Sequence, residues 1–196
     1  IRFKPEIIFP NTKWDSRLNN LVFNLGLVEM ISYWKATCSP EIIIKAGFLD
    51  NEQIAWWKDL LLQGLGEFFY TNKIDFTKED LVKFVINSNG HPGGGRSEKK
   101  LKNRDLILVG GGKDSAVTLE AFENKNCLML NPTIAAKNIA KASGCKNPII
   151  IKRTIDPKLF ELNKQGYLNG HTPFSAYLAF ISTLAVHLYN YKNIIV

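Results

Sequence analysis

Residues 106–115 run Leu-Ile-Leu-Val-Gly-Gly-Gly-Lys-Asp-Ser. Three glycines in a row cannot sustain a helix or a strand interior, so Gly110–Gly112 is read as a turn. The apolar residues before it, Leu106–Val109, read as a short buried strand. The residues after it, Asp114–Phe122, read as a helix. The same rhythm continues down the chain. Cys127–Leu130 is a second strand and Thr133–Ser143 a second helix, ended by Gly144. Ile149–Ile151 is a third strand, Pro173–Tyr189 a long apolar helix, and Asn193–Val196 the start of a fourth strand. Apolar strands alternating with helices imply an α/β fold, with a parallel sheet covered by flanking helices. Ligand loops then fall at the carboxyl ends of the strands.

The first half reads differently. Residues 1–90 are expected to form a mainly helical N-terminal subdomain. Leu18, Leu21, Val22, Leu25 and Val28 recur with helical spacing, and Cys38-Ser39-Pro40 stops that helix. Ile42–Ile44 is a short β-branched run, a strand or a buried extended segment. Asp50 and Gln53 form a capping box for a helix through Trp56, Trp57 and Leu60. Thr77 followed by Asp80 suggests a cap for another helix over Leu81–Ile86. A Gly- and Lys-rich linker over 91–104 then separates this subdomain from the α/β domain, 105–196.

The chain starts without Met and stops within the fourth strand, so it reads as a fragment cut at one or both ends. It has no apolar signal core and no span long enough for a bilayer, and its three cysteines are an odd number with no close pairing. A disulfide framework is not expected, a cytoplasmic location is, and no membrane partner is. The formal net charge is +7, part of it at Lys99, Lys100, Lys102 and Arg104. That cluster is either a solvated linker or an attractor for a polyanion, a nucleotide-linked substrate or RNA.

The glycine turn carries the chemistry. Without Cβ atoms, its backbone N–H groups can approach phosphate oxygens, and the following helix N-terminus adds donors and partial positive charge. Gly110, Gly111, Gly112, Lys113 and Ser115 are therefore candidate ATP contacts. Asp114, being anionic, makes sense as a Mg²⁺ ligand between carboxylate and phosphate. A Walker A loop would need Gly where Ile107 stands and Ser or Thr where Asp114 stands. The dinucleotide fingerprint would need Gly at Ser115, so neither fits. Asn131, ending the second strand, is either a ligand contact or a turn residue before Pro132. Asn169 and His171 precede the long helix, with Thr172 and Pro173 suited to capping it. His171 is either a nucleotide or substrate contact, and so a candidate catalytic residue, or a surface residue, and Asn169 is a candidate nucleotide contact. Glu29 and Glu67, both among apolar residues, are either helix-edge carboxylates or functional ones, with the edge reading preferred.

The loop resembles the Ser-Gly-Gly-x-Asp-Ser loop of PP-loop ATP pyrophosphatases, with Gly110 in place of the leading Ser. Four segments extend the resemblance: Leu25–Pro40, Ala46–Tyr70, Val109–Ser115 and Leu168–Ala176. Together they resemble the UDP-N-acetylmuramoyl-L-alanyl-L-glutamate epimerase family of peptidoglycan precursor synthesis. That resemblance implies a PP-loop fold of the adenine nucleotide alpha-hydrolase type. It implies ATP and Mg²⁺ as cofactors and a UDP-linked muramoyl-dipeptide as substrate. The implied reaction inverts a terminal L-glutamate through an acyl-adenylate; the loop and the segment before the long helix make Asp114, Ser115 and His171 the candidate catalytic residues. Two alternatives are a PP-loop enzyme that modifies tRNA and a nucleotide-binding module without turnover.

Overall fold

A computed structural model describes residues 1–13, 15–77, 81–86 and 100–196. Residues 91–99 of the expected linker, Lys99 among them, and Asp80 lie outside the described residues. The chain divides into two compact units that interleave along the sequence. The first takes Ile1 and the described residues of Ser16–Ser97 and Pro157–Phe180. The second takes Arg2–Asp15, the described residues of Glu98–Asp156, and Ile181–Val196.

The first unit holds helices α1 (Asn19–Trp34), α2 (Asn51–Gly64), α3 (Gly66–Thr71) and α6 (Pro157–Lys164), and the start of α7 (Phe174–Tyr189). Asp50 and Gln53 cap α2 reciprocally, each side chain accepting from the other's backbone N–H, as their spacing implies. Its core gathers Leu25, Val28, Ile31, Leu61, Leu65, Phe68 and Phe69. Trp57 stacks on Phe180 at 5.2 Å between centroids. A two-stranded parallel sheet pairs β2 (Glu41–Ile44) with β3 (Lys83–Ile86). The second strand replaces the helix expected over Leu81–Ile86. Lys-Phe-Val-Ile favours extended pairing, and the Thr77 N–H and hydroxyl both donate to Asp75 Oδ1 rather than capping a helix. Glu29 is buried in α1, not at its edge.

The second unit is an α/β sandwich. β1 is Glu6–Ile8, β4 is Lys102–Leu108, β5 is Cys127–Leu130, β6 is Ile149–Thr154 and β7 is Tyr191–Ile195, in the spatial order β1-β6-β5-β4-β7. β4, β5, β6 and β7 are parallel, and β1 adds an antiparallel edge. Cys127, Leu128 and Met129 of β5 are all buried, as a central parallel strand covered on both faces requires. Helices α4 (Lys113–Ala121) and α5 (Ile134–Ala142) follow β4 and β5. Alternate residues Ile107, Val109, Cys127 and Met129 pack in one cluster with Leu119 of α4 and with Ala136 and Ala140 of α5. Both helices therefore cover one face of the sheet.

Two expectations change here. The sulfurs of Cys127 and Cys145 are brought together, although their separation of 18 residues gave no sign of pairing. The β5–turn–α5 excursion returns the chain to its starting strand, so both cysteines join the same buried cluster. Part of the basic cluster is structural: the Arg104 guanidinium lies 4.1 Å from the Tyr191 ring centroid and donates to the Tyr189 and Asn190 carbonyls. No helix among the described residues is long and apolar enough to cross a membrane.

Candidate functional site

Read as positions one to four, the parallel strands β4, β5, β6 and β7 lie in the order 3-2-1-4. The strand order reverses between β4 and β7, and crevices at such a reversal lie outside the carboxyl ends of the strands. Gly110, Gly111 and Gly112 leave β4 at that end. Gly111 has a positive φ of 95°. A Cβ on it would lie 2.7 Å from the Ala136 backbone nitrogen, so the loop rests directly on the first turn of α5. Ala136 N–H itself donates to the Thr133 hydroxyl, which caps that helix. The N-termini of α4 and α5 thus come together at one end of the sheet, where their dipoles favour an anion.

The loop is closed from within. Gly110 N–H donates to Ser115 Oγ at 3.0 Å, which leaves the hydroxyl hydrogen free to be offered outward. Gly112 is the extended N-cap of α4, no side chain caps the helix, and the first intrahelical bond there is Ala116 N–H to the Gly112 carbonyl. The N–H groups of Lys113, Asp114 and Ser115 precede that bond, and such groups have no partner within a helix. Lys113 and Asp114 are exposed on the first turn. Asn131, at the end of β5, has a left-handed φ of 42°. Its side-chain amide donates to the Arg153 carbonyl at 2.7 Å and accepts from the Arg153 N–H at 2.8 Å. That pair of bonds latches the ends of β5 and β6 together.

Asn169 and His171 belong to the first unit, not to the unit that carries the glycine loop. Their segment is tied down at almost every backbone group. Leu168 N–H donates to the Ala36 carbonyl. The Asn169 carbonyl accepts from Asn72 Nδ2, and the Asn169 side chain accepts from Gly170 N–H. The buried Lys35 ammonium donates to the Gly170 carbonyl and, at 3.4 Å, to the Thr172 hydroxyl. His171 N–H donates to Glu67 Oε2 at 2.8 Å, and the imidazole Nδ1 lies 3.7 Å from the same oxygen. The Thr71 hydroxyl holds the other oxygen, Oε1. The His171 N–H bond, first, and the Thr71 hydroxyl, with charge from His171 and Lys35, hold the Glu67 carboxyl below its ordinary value. A Cβ on Gly170 would meet Glu67 Oε2 and Phe68 at 3.1 Å, so only glycine lets the segment lie this close to α3.

Lys35, Asn72 and the partnership of Glu67 with His171 were not legible in the sequence. A lysine between Trp34 and Ala36, at the end of an apolar helix, was the one available signal. Among the described residues no group of three or more His, Cys, Asp or Glu side chains is placed to hold a metal. Mg²⁺ is often held by one or two carboxylates plus substrate phosphates. The exposed Asp114 beside the glycine loop fits that arrangement.

A parallel α/β sheet with a glycine loop between its first strand and the helix that follows defines the general class. Within it, the chain belongs to the MurL N-terminal domain family, whose model matches residues 1–196. It is 32% identical over 167 residues to the UDP-N-acetyl-alpha-D-muramoyl-L-alanyl-L-glutamate epimerase of Xanthomonas oryzae pv. oryzae, covering 84% of this chain and 36% of that protein. The protein of the same name from a Micromonospora species is 31% identical over 171 residues, covering 85% of this chain and 37% of its own length. The one from Salinispora tropica is 29% identical, with 85% and 36% covered. The chain therefore spans little more than a third of the length of these curated relatives. No solved structure matches.

Proposed function

We propose that this chain forms the nucleotide-binding part of an enzyme that inverts the terminal L-glutamate of UDP-N-acetylmuramoyl-L-alanyl-L-glutamate, in the cytoplasm, using ATP and Mg²⁺. The observation that carries the reading is the glycine loop at the carboxyl end of β4, pressed against the capped N-terminus of α5. Family membership supplies the substrate. When bound, ATP would supply an adenylyl group that turns the glutamate carboxylate into a mixed anhydride whose acyl part carries no charge, with pyrophosphate as the leaving group and Mg²⁺ offsetting phosphate charge. An α-proton beside a carboxylate is very weakly acidic, because its loss would set a second negative charge next to the first. Neutralising that carboxylate makes the proton removable.

The residues then divide the work. Backbone N–H groups of Gly111 through Asp114 cradle the pyrophosphate portion. Lys113 adds charge, and Ser115 holds the loop in shape while offering its hydroxyl hydrogen. Asp114 is the metal ligand. Asn131 fixes the end of the neighbouring strand, and Asn169 shapes the segment that presents His171. The test is ATP–pyrophosphate exchange with the muramoyl-dipeptide, in a protein of full family length carrying this chain. Asp114→Ala is expected to lower exchange by about 10²-fold or more. Exchange unchanged in that variant would refute the loop assignment. The basic charge that would favour an RNA substrate is partly consumed by Arg104 within the fold, so the epimerase reading is preferred.

A further inference from the structure

In the first unit, an open pocket of about 740 Å³ is lined by Leu60, Gly64, His171, Pro173, Phe174 and Ala176, among others. The His171 side chain is 88% exposed at this pocket, while its backbone is fixed by Glu67 and the preceding residue by Lys35. We propose that His171 is the base that removes the α-proton of the carboxyl-activated substrate, and that Glu67 is its positioning residue. The proposal rests on the epimerase reading above and names the group that reading lacks.

Nδ1 lies 3.7 Å from Glu67 Oε2, so the basic lone pair is assigned to the other ring nitrogen, Nε2. Nε2 takes the proton and an N–H bond forms. The C–H electron pair passes into the activated acyl group as an enolate. Water delivers a proton to the opposite face, His171 returns its own proton to the hydroxide so formed, and a second water hydrolyses the mixed anhydride, releasing AMP and restoring the carboxylate. Glu67 stabilises the imidazolium by charge and holds the His171 backbone N–H. Asn169, Gly170 and Lys35 hold that backbone still. The apolar lining from Leu60, Pro173 and Phe174 suits a neutral acyl group better than a free carboxylate.

The test measures deuterium uptake into glutamate in D₂O alongside ATP–pyrophosphate exchange, in a protein of full family length carrying this chain. His171→Gly is expected to lower deuterium uptake by about 10²–10⁴-fold, the usual contribution of a general base, while pyrophosphate exchange continues. Because the side chain is exposed, added imidazole should restore part of the uptake in that variant. Glu67→Gln still accepts from the His171 N–H but carries no charge. It should lower kcat for uptake without a matching change in KM, whereas a merely structural Glu67 would leave uptake intact. Wild-type uptake with both variants unaffected would overturn this assignment and leave the epimerase reading standing. Pyrophosphate exchange in the wild type with no deuterium uptake would overturn both.

Discussion

Replacing Gly111 by alanine tests whether the glycine loop is as tightly set against α5 as its geometry says. The φ of 95° lies where an L side chain is strained, which costs about 1–2 kcal/mol. The new Cβ would also sit 2.7 Å from the Ala136 nitrogen and 3.0 Å from its Cα. Neither atom is the end of a flexible side chain, so the loop or the first turn of α5 must shift. A shift of Ala136 breaks its bond to the Thr133 hydroxyl, a cap contribution of about 1 kcal/mol. The sum is about 2–3 kcal/mol. Gly112→Ala is the control. Its backbone is extended, with φ −89° and ψ 178°, and nothing lies within 4 Å of the added carbon. It should cost under about 1 kcal/mol, as an alanine at an N-cap. Native-state hydrogen exchange at the amides of Ile139 and Ala140 reads the local loss in α5, and urea unfolding reads the global one. If Gly111→Ala costs no more than Gly112→Ala, the contact between the loop and α5 is not what sets the loop, and the reasoning fails.

Two further predictions concern the same unit. Asn131→Ala removes both bonds to Arg153 and places alanine at a positive φ, so it should cost about 1–3 kcal/mol; Asn131→Gly, which relieves the backbone, should cost less by thermal melting. Burial pushes the Tyr189 phenol up to about 12. A raised folded value means that its contribution to stability is complete below about pH 10 and is lost as pH rises toward 12. Ultraviolet titration of tyrosinate should lose that late-titrating group in Tyr189→Phe.

The strand–helix alternation of the second half was legible because each element is short, apolar and bounded by glycine, proline or a cap. Cys127–Leu130 and the Thr133-capped helix appear where the periodicity placed them. β1 was missed because Glu6–Ile8 has only three residues and follows Pro5. It gains strand identity from pairing with β6, a partner nearly 150 residues away in register Glu6 with Thr154. β3 was mistaken for a helix because a local Thr-x-x-Asp signal outweighed a four-residue β-branched and aromatic run, and only the pairing with β2 resolves it. The same limit governs the site. The glycine loop is contiguous, so its residues announce themselves together. Glu67 and His171 are 104 positions apart, and no local pattern links a helix-start carboxylate to a later loop.

The two loops differ in what they leave unused, and this separates their chemistry. In the glycine loop, Gly110 N–H is satisfied internally, and the donors that remain are backbone N–H groups at a helix N-terminus. Those groups do not change protonation, so they suit the binding of a charged, displaceable group such as pyrophosphate. In the segment from Leu168 to Thr172 the balance is reversed. Glu67 takes the N–H of His171, Lys35 and Asn72 take the carbonyls of Gly170 and Asn169, and Ala36 takes the N–H of Leu168. What remains on display is one imidazole, the side chain most often used as a general base. A backbone held at successive residues costs conformational entropy that a merely connecting loop would avoid. That cost is reasonable where a proton must be taken from a fixed direction, since misplacing a reacting group by about 1 Å can slow a step about 10²-fold. The buried Lys35 is the strongest sign of this, because a desolvated ammonium directed at a carbonyl and a hydroxyl does more to fix a loop than an exposed one would.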